Sequence, residues 1–143
     1  MIIRPARISD LETISKIEYE VFQHPWTIDQ LAFEISNEPV SQTFVLEIND
    51  SLIGYVMTLN TENEIQIINI AISKDEQGNG YGKQLLHHII QKVPRTASIF
   101  LEVRASNNIA NQLYIAAGFQ EICRRSSYYP DNEDAIVMEW TDN

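Results

Sequence analysis

The stretch Gln77-Gly78-Asn79-Gly80-Tyr81-Gly82-Lys83 stands between an apolar run that ends at Ile72 and a helical apolar repeat that begins at Leu85. Its three glycines allow backbone N–H groups to converge without interference from Cβ atoms. A helix that starts directly after such a loop adds free N–H donors and the positive end of its dipole. The stretch therefore predicts a strand–loop–helix unit that holds a diphosphate, with Lys83 adding a charge at the rim.

Glycine spacing alone is weak evidence, because a glycine-rich turn without a ligand would have the same pattern. Two better-known phosphate motifs fit poorly. A P-loop needs Ser or Thr after its lysine, whereas Gln84 follows Lys83. A dinucleotide-binding fingerprint has the spacing G-x-G-x-x-G after the first strand, whereas this loop reads G-x-G-x-G and follows a central strand.

Apolar periodicity places this loop inside an α/β chain with the element order β-α-α-β-β-β-α-β-α-β-β. Strands are expected at residues 2–6, 43–48, 52–60, 65–72, 98–103, 119–126 and 135–140, and helices at 9–23, 27–36, 85–93 and 107–117. Antiparallel strands come first and a strand–helix–strand unit sits in the middle. We therefore expect a mixed, mostly antiparallel sheet of about seven strands, flanked by four helices on both faces.

Several local signals refine these elements. Capping boxes are expected at two helix starts, Ser9 with Glu12 and Thr27 with Gln30. The apolar alternation changes face between Ile67 and Ile68, which indicates either burial on both faces or a β-bulge. Pro94 is expected to end the third helix, and Gly118 to end the fourth in a left-handed conformation.

Length and charge limit the function classes. The 143 residues contain no linker, repeat or low-complexity tract, so we expect a single domain over residues 1–143. The formal net charge of −10 repels nucleic-acid phosphates and argues against direct nucleic-acid binding. The same field would attract a basic peptide or an amine, although it could serve solubility alone. It also opposes an anionic cofactor, so local donors must build any phosphate site.

The cysteine count and the termini indicate the compartment. Cys123 is the only cysteine, so neither an internal disulfide nor a zinc cluster of thiolates can form, and no metal site is predicted. The N-terminus lacks the apolar run of a signal peptide, and no apolar run reaches the roughly 18 residues of a membrane span. These features favour a cytoplasmic protein without membrane attachment.

Downstream of the loop, Glu102 lies near the end of a strand with apolar neighbours. Partial desolvation there would raise its pKa toward that of a useful general base, but an outward-facing, solvated or ion-paired Glu fits equally well. On the next helix Asn107, Asn111 and Tyr114 fall at i, i+4 and i+7 and share one face. That face points either at a ligand or at solvent, with Tyr114 partly packed.

Together these residues resemble the GCN5-related N-acetyltransferase (GNAT) superfamily over essentially the whole chain. The Q-x-x-G-x-G of residues 77–82 matches its pyrophosphate loop, and Asn107, Leu113-Tyr114 and Gly118-Phe119 match its second signature. Within the superfamily the chain is most similar to the RimI-type protein N-terminal acetyltransferases. This closer resemblance is carried by four segments: His24-Pro25-Trp26-Thr27, residues 101–107, Tyr128-Tyr129-Pro130 and Glu133-Asp134-Ala135.

The resemblance implies a GNAT fold, acetyl-CoA as co-substrate and a role for each matching residue. The cofactor-binding residues it implies are Ile70, Ala71 and Ile72 for the pantetheine arm and acetyl carbonyl, Gln77, Gly78, Asn79, Gly80, Tyr81, Gly82 and Lys83 for the pyrophosphate, and Asn107 beyond it. Glu102 is the implied general base, acting through water on an α-ammonium group. Tyr114 is the implied general acid, which protonates the departing CoA thiolate.

One departure from the family pattern concerns the loop. Relatives often have Arg at the variable positions, where this chain has Gly78 and Asn79. Backbone donors and Lys83 must therefore carry most of the phosphate binding.

Three functions are weighed on these grounds. The first is acetyl transfer to a protein N-terminus, an alanine-type terminus such as that of ribosomal protein S18, with the acidic surface recruiting a basic protein. The second is acetylation of a small amine such as a polyamine or aminoglycoside. The third is a CoA-binding module without turnover. The presence of both Glu102 and Tyr114 argues against the third, since a pure binder needs neither.

Overall fold

The computed structural model describes residues 1–93 and 97–142. Its strands are β1 (Ile2–Pro5), β2 (Ser41–Ile48), β3 (Ser51–Asn60), β4 (Glu64–Ile72), β5 (Ser98–Arg104), β6 (Gln120–Arg125) and β7 (Ala135–Thr141). Its helices are α1 (Leu11–Val21), α2 (Ile28–Ser36), α3 (Tyr81–Lys92) and α4 (Asn108–Ala116), with 3-10 turns at Ile8–Asp10 and Lys74–Glu76. None of the described helices has the length and apolarity needed to cross a membrane.

The seven strands form one sheet in the spatial order β1-β2-β3-β4-β5-β7-β6. Neighbouring strands pair antiparallel except for β4 and β5, which run parallel. The predicted element order and the mixed, mostly antiparallel sheet with four helices are confirmed. A parallel pair needs a crossover connection, and α3 provides it. The crossover brings the glycine loop to the end of β4.

Helices cover both faces of the sheet. On one face α3 and α4 pack over a cluster that includes Leu86, Leu101 and Met138. On the other face α1 and α2 pack over a cluster that includes Ile14 and Tyr55. The central strands are therefore buried on both sides, which explains their nearly continuous apolar sequences.

Three local predictions are confirmed. Gln30 N donates to Thr27 Oγ1 at 3.2 Å, and Thr27 N donates to Gln30 Oε1 at 2.9 Å, so the second capping box is present. The register between β3 and β4 shifts so that Ile68 is the extra residue of a bulge. Gly118, the second residue after the end of α4, has a φ of 102°. The expected helix end at Pro94 lies outside the described residues.

The capping box predicted at Ser9 and Glu12 is wrong. The Asp10 carboxylate accepts a hydrogen bond from Arg7 N at 2.7 Å and starts a 3-10 turn, so α1 begins later than expected. Arg4 pairs with Asp10 at 2.9 Å, and this hydrogen bond lowers the pKa of Asp10 below its ordinary value. A contact from β1 therefore decides where the helix starts.

The end of β4 is held close to β3 at Gly54. A Cβ at this position would lie 2.5 Å from Ile72 Cδ1 and 2.9 Å from the carbonyl oxygen of Ala71. The second contact is with backbone, which has little freedom to move away. Gly54 therefore allows the last residues of β4 to lie against β3 at the point where the glycine loop begins.

Candidate active site

The sheet opens between its two parallel strands. Pairing of β4 with β5 ends at Ile67 and Leu101, although β4 continues to Ile72 and β5 to Arg104. On its other edge β4 stays paired with β3 as far as Ile72. The gap between residues 68–72 and 102–104, called the cleft below, leaves backbone groups of β4 directed at an open space. Such groups can bind a ligand as they would bind a further strand.

The glycine loop borders the mouth of this cleft. Gly78 and Gly80 have φ values of 85° and 84°, a conformation that favours glycine. Gly80 is the N-cap of α3, and no described side chain caps the helix, so its first N–H groups remain available to a ligand. Gln77 Nε2 donates to the carbonyl of Ile72 at 2.9 Å, which fastens the loop to the end of β4. The loop and α3 therefore fit an anion, as predicted.

Glu102 faces the α1 and α2 side of the sheet. Its neighbours Leu101 and Val103 are buried in the cluster under α3 and α4, and side chains alternate along a strand. The Glu102 side chain is 20% exposed and lies 3.6 Å from Arg125 Nε. The nearby Glu102 carboxylate raises the pKa of Tyr128, through hydrogen bonding and its negative charge. Glu102 therefore combines features of the two environments considered, since its side chain is largely buried and also ion-paired.

Tyr114 lies on the opposite face from Glu102. It is 6% exposed and belongs to the cluster under α3 and α4, where its ring lies 5.9 Å from that of Phe119. Burial raises the pKa of the Tyr114 hydroxyl well above its ordinary value, and the nearby Tyr129 raises it further. The hydroxyl therefore stays protonated at neutral pH, as a proton donor must.

The interpretation that Tyr114 shares a polar face with Asn107 and Asn111 is wrong. Asn107 Oδ1 accepts from the N–H of Ala110 at 3.2 Å and caps α4. Asn111 Nδ2 donates to the carbonyls of Arg104 and Asn107 at 3.3 and 2.9 Å. Both amide side chains therefore form hydrogen bonds with backbone groups around the start of α4, while Tyr114 is a core residue.

A charged cluster joins β5 to the segment between β6 and β7. Arg104 Nη1 donates to Asp131 at 2.8 Å and to Glu133 at 3.0 Å, and its guanidinium lies 4.1 Å from the centre of the Tyr129 ring. Glu133 also accepts from Ser106 N at 3.0 Å. Hydrogen bonds from Ser106 and Arg104 lower the pKa of Glu133. This cluster fixes Tyr128-Tyr129-Pro130, called the tyrosine segment, next to Glu102.

Sequence reasoning missed a buried carboxylate on the other side of the cleft. Glu18 is 1% exposed and accepts hydrogen bonds from Tyr55, from Asn69 Nδ2 and, at 2.9 Å, from the N–H of Trp26. These donors lie on β3, on β4 and before α2. One carboxylate therefore connects the segment between α1 and α2 to β4, beside Ile70. The available signal was its place on the apolar stripe of α1, one residue after Ile17.

We expect Glu18→Leu to lower the free energy of unfolding by about 3 kcal/mol or more, because it leaves three buried donors without an acceptor. Glu12→Leu on the same helix is the matched control, since that side chain is 84% exposed. It should change the stability by less than about 0.5 kcal/mol. Urea denaturation followed by circular dichroism measures both. Equal effects of the two substitutions would contradict the assigned role of Glu18.

A mixed sheet that opens beside an uncapped, glycine-lined helix start fits the class of N-acetyltransferases. Residues 8–119 match the model of the Acetyltransferase (GNAT) family. The chain belongs to this family.

Individual relatives extend the match. A putative [ribosomal protein bS18]-alanine N-acetyltransferase of Bacillus subtilis is 34% identical, over 99% of this chain and 95% of the relative. The [ribosomal protein bS18]-alanine N-acetyltransferase of Escherichia coli is 34% identical, over 91% of this chain and 90% of the relative. The crystal structure of the ribosomal-protein-S18-alanine N-acetyltransferase from Escherichia coli superposes with a TM-score of 0.90 at 33% identity, over 97% and 92% of the two chains.

Proposed function

We propose that the protein transfers the acetyl group of acetyl-CoA to the N-terminal α-amino group of a protein, with the alanine-type N-terminus of ribosomal protein S18 as the favoured acceptor. The observation that carries this proposal is the match to relatives named for that reaction over nearly the whole chain. The matched region therefore includes Trp26 and the tyrosine segment as well as the glycine loop. We further propose that residues 1–143 act as a single catalytic domain in the cytoplasm, where such acceptors are made.

The cofactor proposal rests on the open backbone of β4 and the uncapped start of α3. Acetyl-CoA supplies the acetyl group as an activated thioester. Backbone groups of Ile70, Ala71 and Ile72 would hold its pantetheine arm, and the N–H groups of residues 78–83 would hold its pyrophosphate. The Lys83 side chain is exposed and would add one positive charge. Asn107 would bind through Nδ2, since its Oδ1 already caps α4.

The two proposed catalytic side chains approach the cleft from opposite faces. Glu102 would remove a proton from the α-ammonium group, directly or through water, on the face of α1 and α2. An α-amino group has a pKa near 8, so about a tenth is free base at pH 7 and a base of modest strength suffices. Tyr114 would donate its proton to the leaving thiolate on the other face.

Positioning supplies the rest of the proposed acceleration. The freed amine would attack the carbonyl carbon, and the C–S bond would break as Tyr114 protonates sulfur. A backbone N–H near Ile72 would stabilise the oxyanion that develops between these events. The cleft holds amine and thioester in contact, which is worth several kcal/mol in well-oriented reactions.

We expect Tyr114→Phe to lower kcat by about 100-fold or more, because the leaving thiolate loses its proton donor. The affinity for acetyl-CoA, measured by titration calorimetry, should stay close to that of the unchanged protein. Tyr19→Phe is the control, since Tyr19 is exposed on α1. An unchanged turnover number in Tyr114→Phe would remove this residue from the acid role.

Glu102→Gln should lower kcat/KM by about 100-fold at pH 7, and the loss should shrink toward pH 9. The reason is that the acceptor amine, with a pKa near 8, loses its proton to solvent as the pH rises. Glu121→Gln is the matched control, since Glu121 is also paired with an arginine, Arg124, at 3.4 Å. A loss that stays constant between pH 7 and pH 9 argues against proton removal by Glu102.

A panel of acceptors tests the proposed function itself. The protein is incubated with acetyl-CoA and with alanine-type N-terminal peptides, α-blocked peptides with a free lysine, and polyamines, while CoA release is followed. Release confined to peptides with a free α-amino group is expected. Release with polyamines alone contradicts a protein acceptor, and tight CoA binding without release on any acceptor indicates a module without turnover.

A further inference from the structure

The outer face of α2 carries a groove that the acetyl-transfer chemistry does not use. This feature, called the α2 groove, has a volume of about 380 Å³ and is lined by Trp26, Asp29, Gln30, Phe33 and Glu34. Phe33 is 62% exposed, whereas Leu31 and Ile35 of the same helix are buried in the core. A large aromatic side chain in solvent within an open groove is typical of a contact surface.

The charge around this groove has one sign. Residues 17–73 contain nine Asp or Glu and neither Lys nor Arg, so this segment carries nearly all of the formal net charge of −10. In the described part of the chain, no Lys or Arg forms an ion pair with Asp29. Glu47 of this segment is paired with Arg4 and Glu18 is buried, but both charged residues that line the groove, Asp29 and Glu34, are acidic. Such a pair attracts cationic partners over a distance of several ångströms.

The α2 groove and the acceptor side of the cleft lie on the same face of the sheet and are linked through Glu18. Trp26 lines the groove, and its backbone N–H donates to Glu18 at 2.9 Å. Glu18 in turn accepts from Asn69 of β4, the residue before Ile70. A polypeptide whose N-terminus lies at Glu102 would leave the cleft on this same face of the sheet. Its following residues would then pass over the segment that opens the groove.

We propose that the α2 groove docks the part of the acceptor protein that follows its acetylated N-terminal residues, and that this part carries Lys or Arg beside an apolar side chain. The inference rests on the proposed function. Trp26 and Phe33 would contact the apolar side chain and stack with a cation, while Asp29 and Glu34 would pair with positive charges. Proteins that bind RNA carry such cations for contact with phosphates. A second copy of this chain fits poorly, since it would bring two acidic segments together.

The test compares three acceptor peptides with the same alanine-type N-terminus. One has about three residues, which extend over only roughly 10 Å, whereas two have about twenty residues and extend over roughly 65 Å. One long peptide has Lys and Arg after the first residues, and the other has Gln and Ser there. The intact protein should show a kcat/KM about tenfold higher on the long basic peptide than on the other two, and added salt should remove the difference.

Two exposed positions in the groove supply the variants. Asp29→Lys and Phe33→Ser should each lower kcat/KM on the long basic peptide about tenfold and leave the short peptide unchanged. The matched controls are Glu121→Lys, exposed on β6 at the opposite edge of the sheet from the strand β2 that α2 packs against, and Ile2→Ser on β1, which is 56% exposed. Both should behave as the unchanged protein on all three peptides.

The outcomes separate this inference from the proposed function. Turnover of the short peptide without any advantage for the long basic one overturns the docking site and leaves the proposed function intact. Equal losses on the short and long peptides in Asp29→Lys also overturn it, since they indicate general damage. If Phe33→Ser converts a dimer to a monomer without changing peptide selection, the groove is an interface between copies and the inference is wrong. Absence of turnover on every peptide removes the proposed function and the docking site together.

Discussion

The separation of β4 from β5 after Ile67 and Leu101 is the constraint on which the site depends. A strand that loses its neighbour inside a protein needs another partner for its backbone groups. Here β3 holds β4 and β7 holds β5, so the sheet remains intact as two halves while the space between them stays open. The bulge at Ile68 falls directly where the strands part. The separation of β4 from β5 therefore both creates the cleft and exposes the β4 backbone.

The surroundings of the cleft follow from this separation. The crossover through α3 must leave from the end of β4, which places an uncapped helix start beside the open backbone. The alternation of side chains along β5 directs Glu102 to one face, while Tyr114 lies in the core of the other. An amine and a thioester held between the strands would thus meet the base and the acid from opposite sides. The clusters around Glu18 and Arg104 hold the flanking segments against the two halves.

Sequence patterns predicted the structural features that are determined by residues close together in the chain. The glycine loop, the capping box at Thr27 and the change of face at Ile67 each depend on neighbours within a few residues, and the structure contains all three. The patterns failed where contacts with residues distant in the sequence determine the local structure. Asp10 starts the first turn because Arg4 on β1 holds it. Glu18 receives donors from residues 26, 55 and 69, which no helical period reveals. The roles of Glu102 and Tyr114 stay predictions, because spacing shows where side chains point and not what they do.

In the proposed reaction the cleft and the glycine loop together receive CoA. Titration of the ¹⁵N-labelled protein with CoA, followed by amide chemical shifts, measures this most directly. The largest shifts should fall in two separate stretches, residues 70–72 of β4 and residues 78–83 at the start of α3, and both should saturate at the same CoA concentration. Saturable binding that leaves these two stretches unchanged, with shifts concentrated on α2 or on β6, would contradict this placement of CoA.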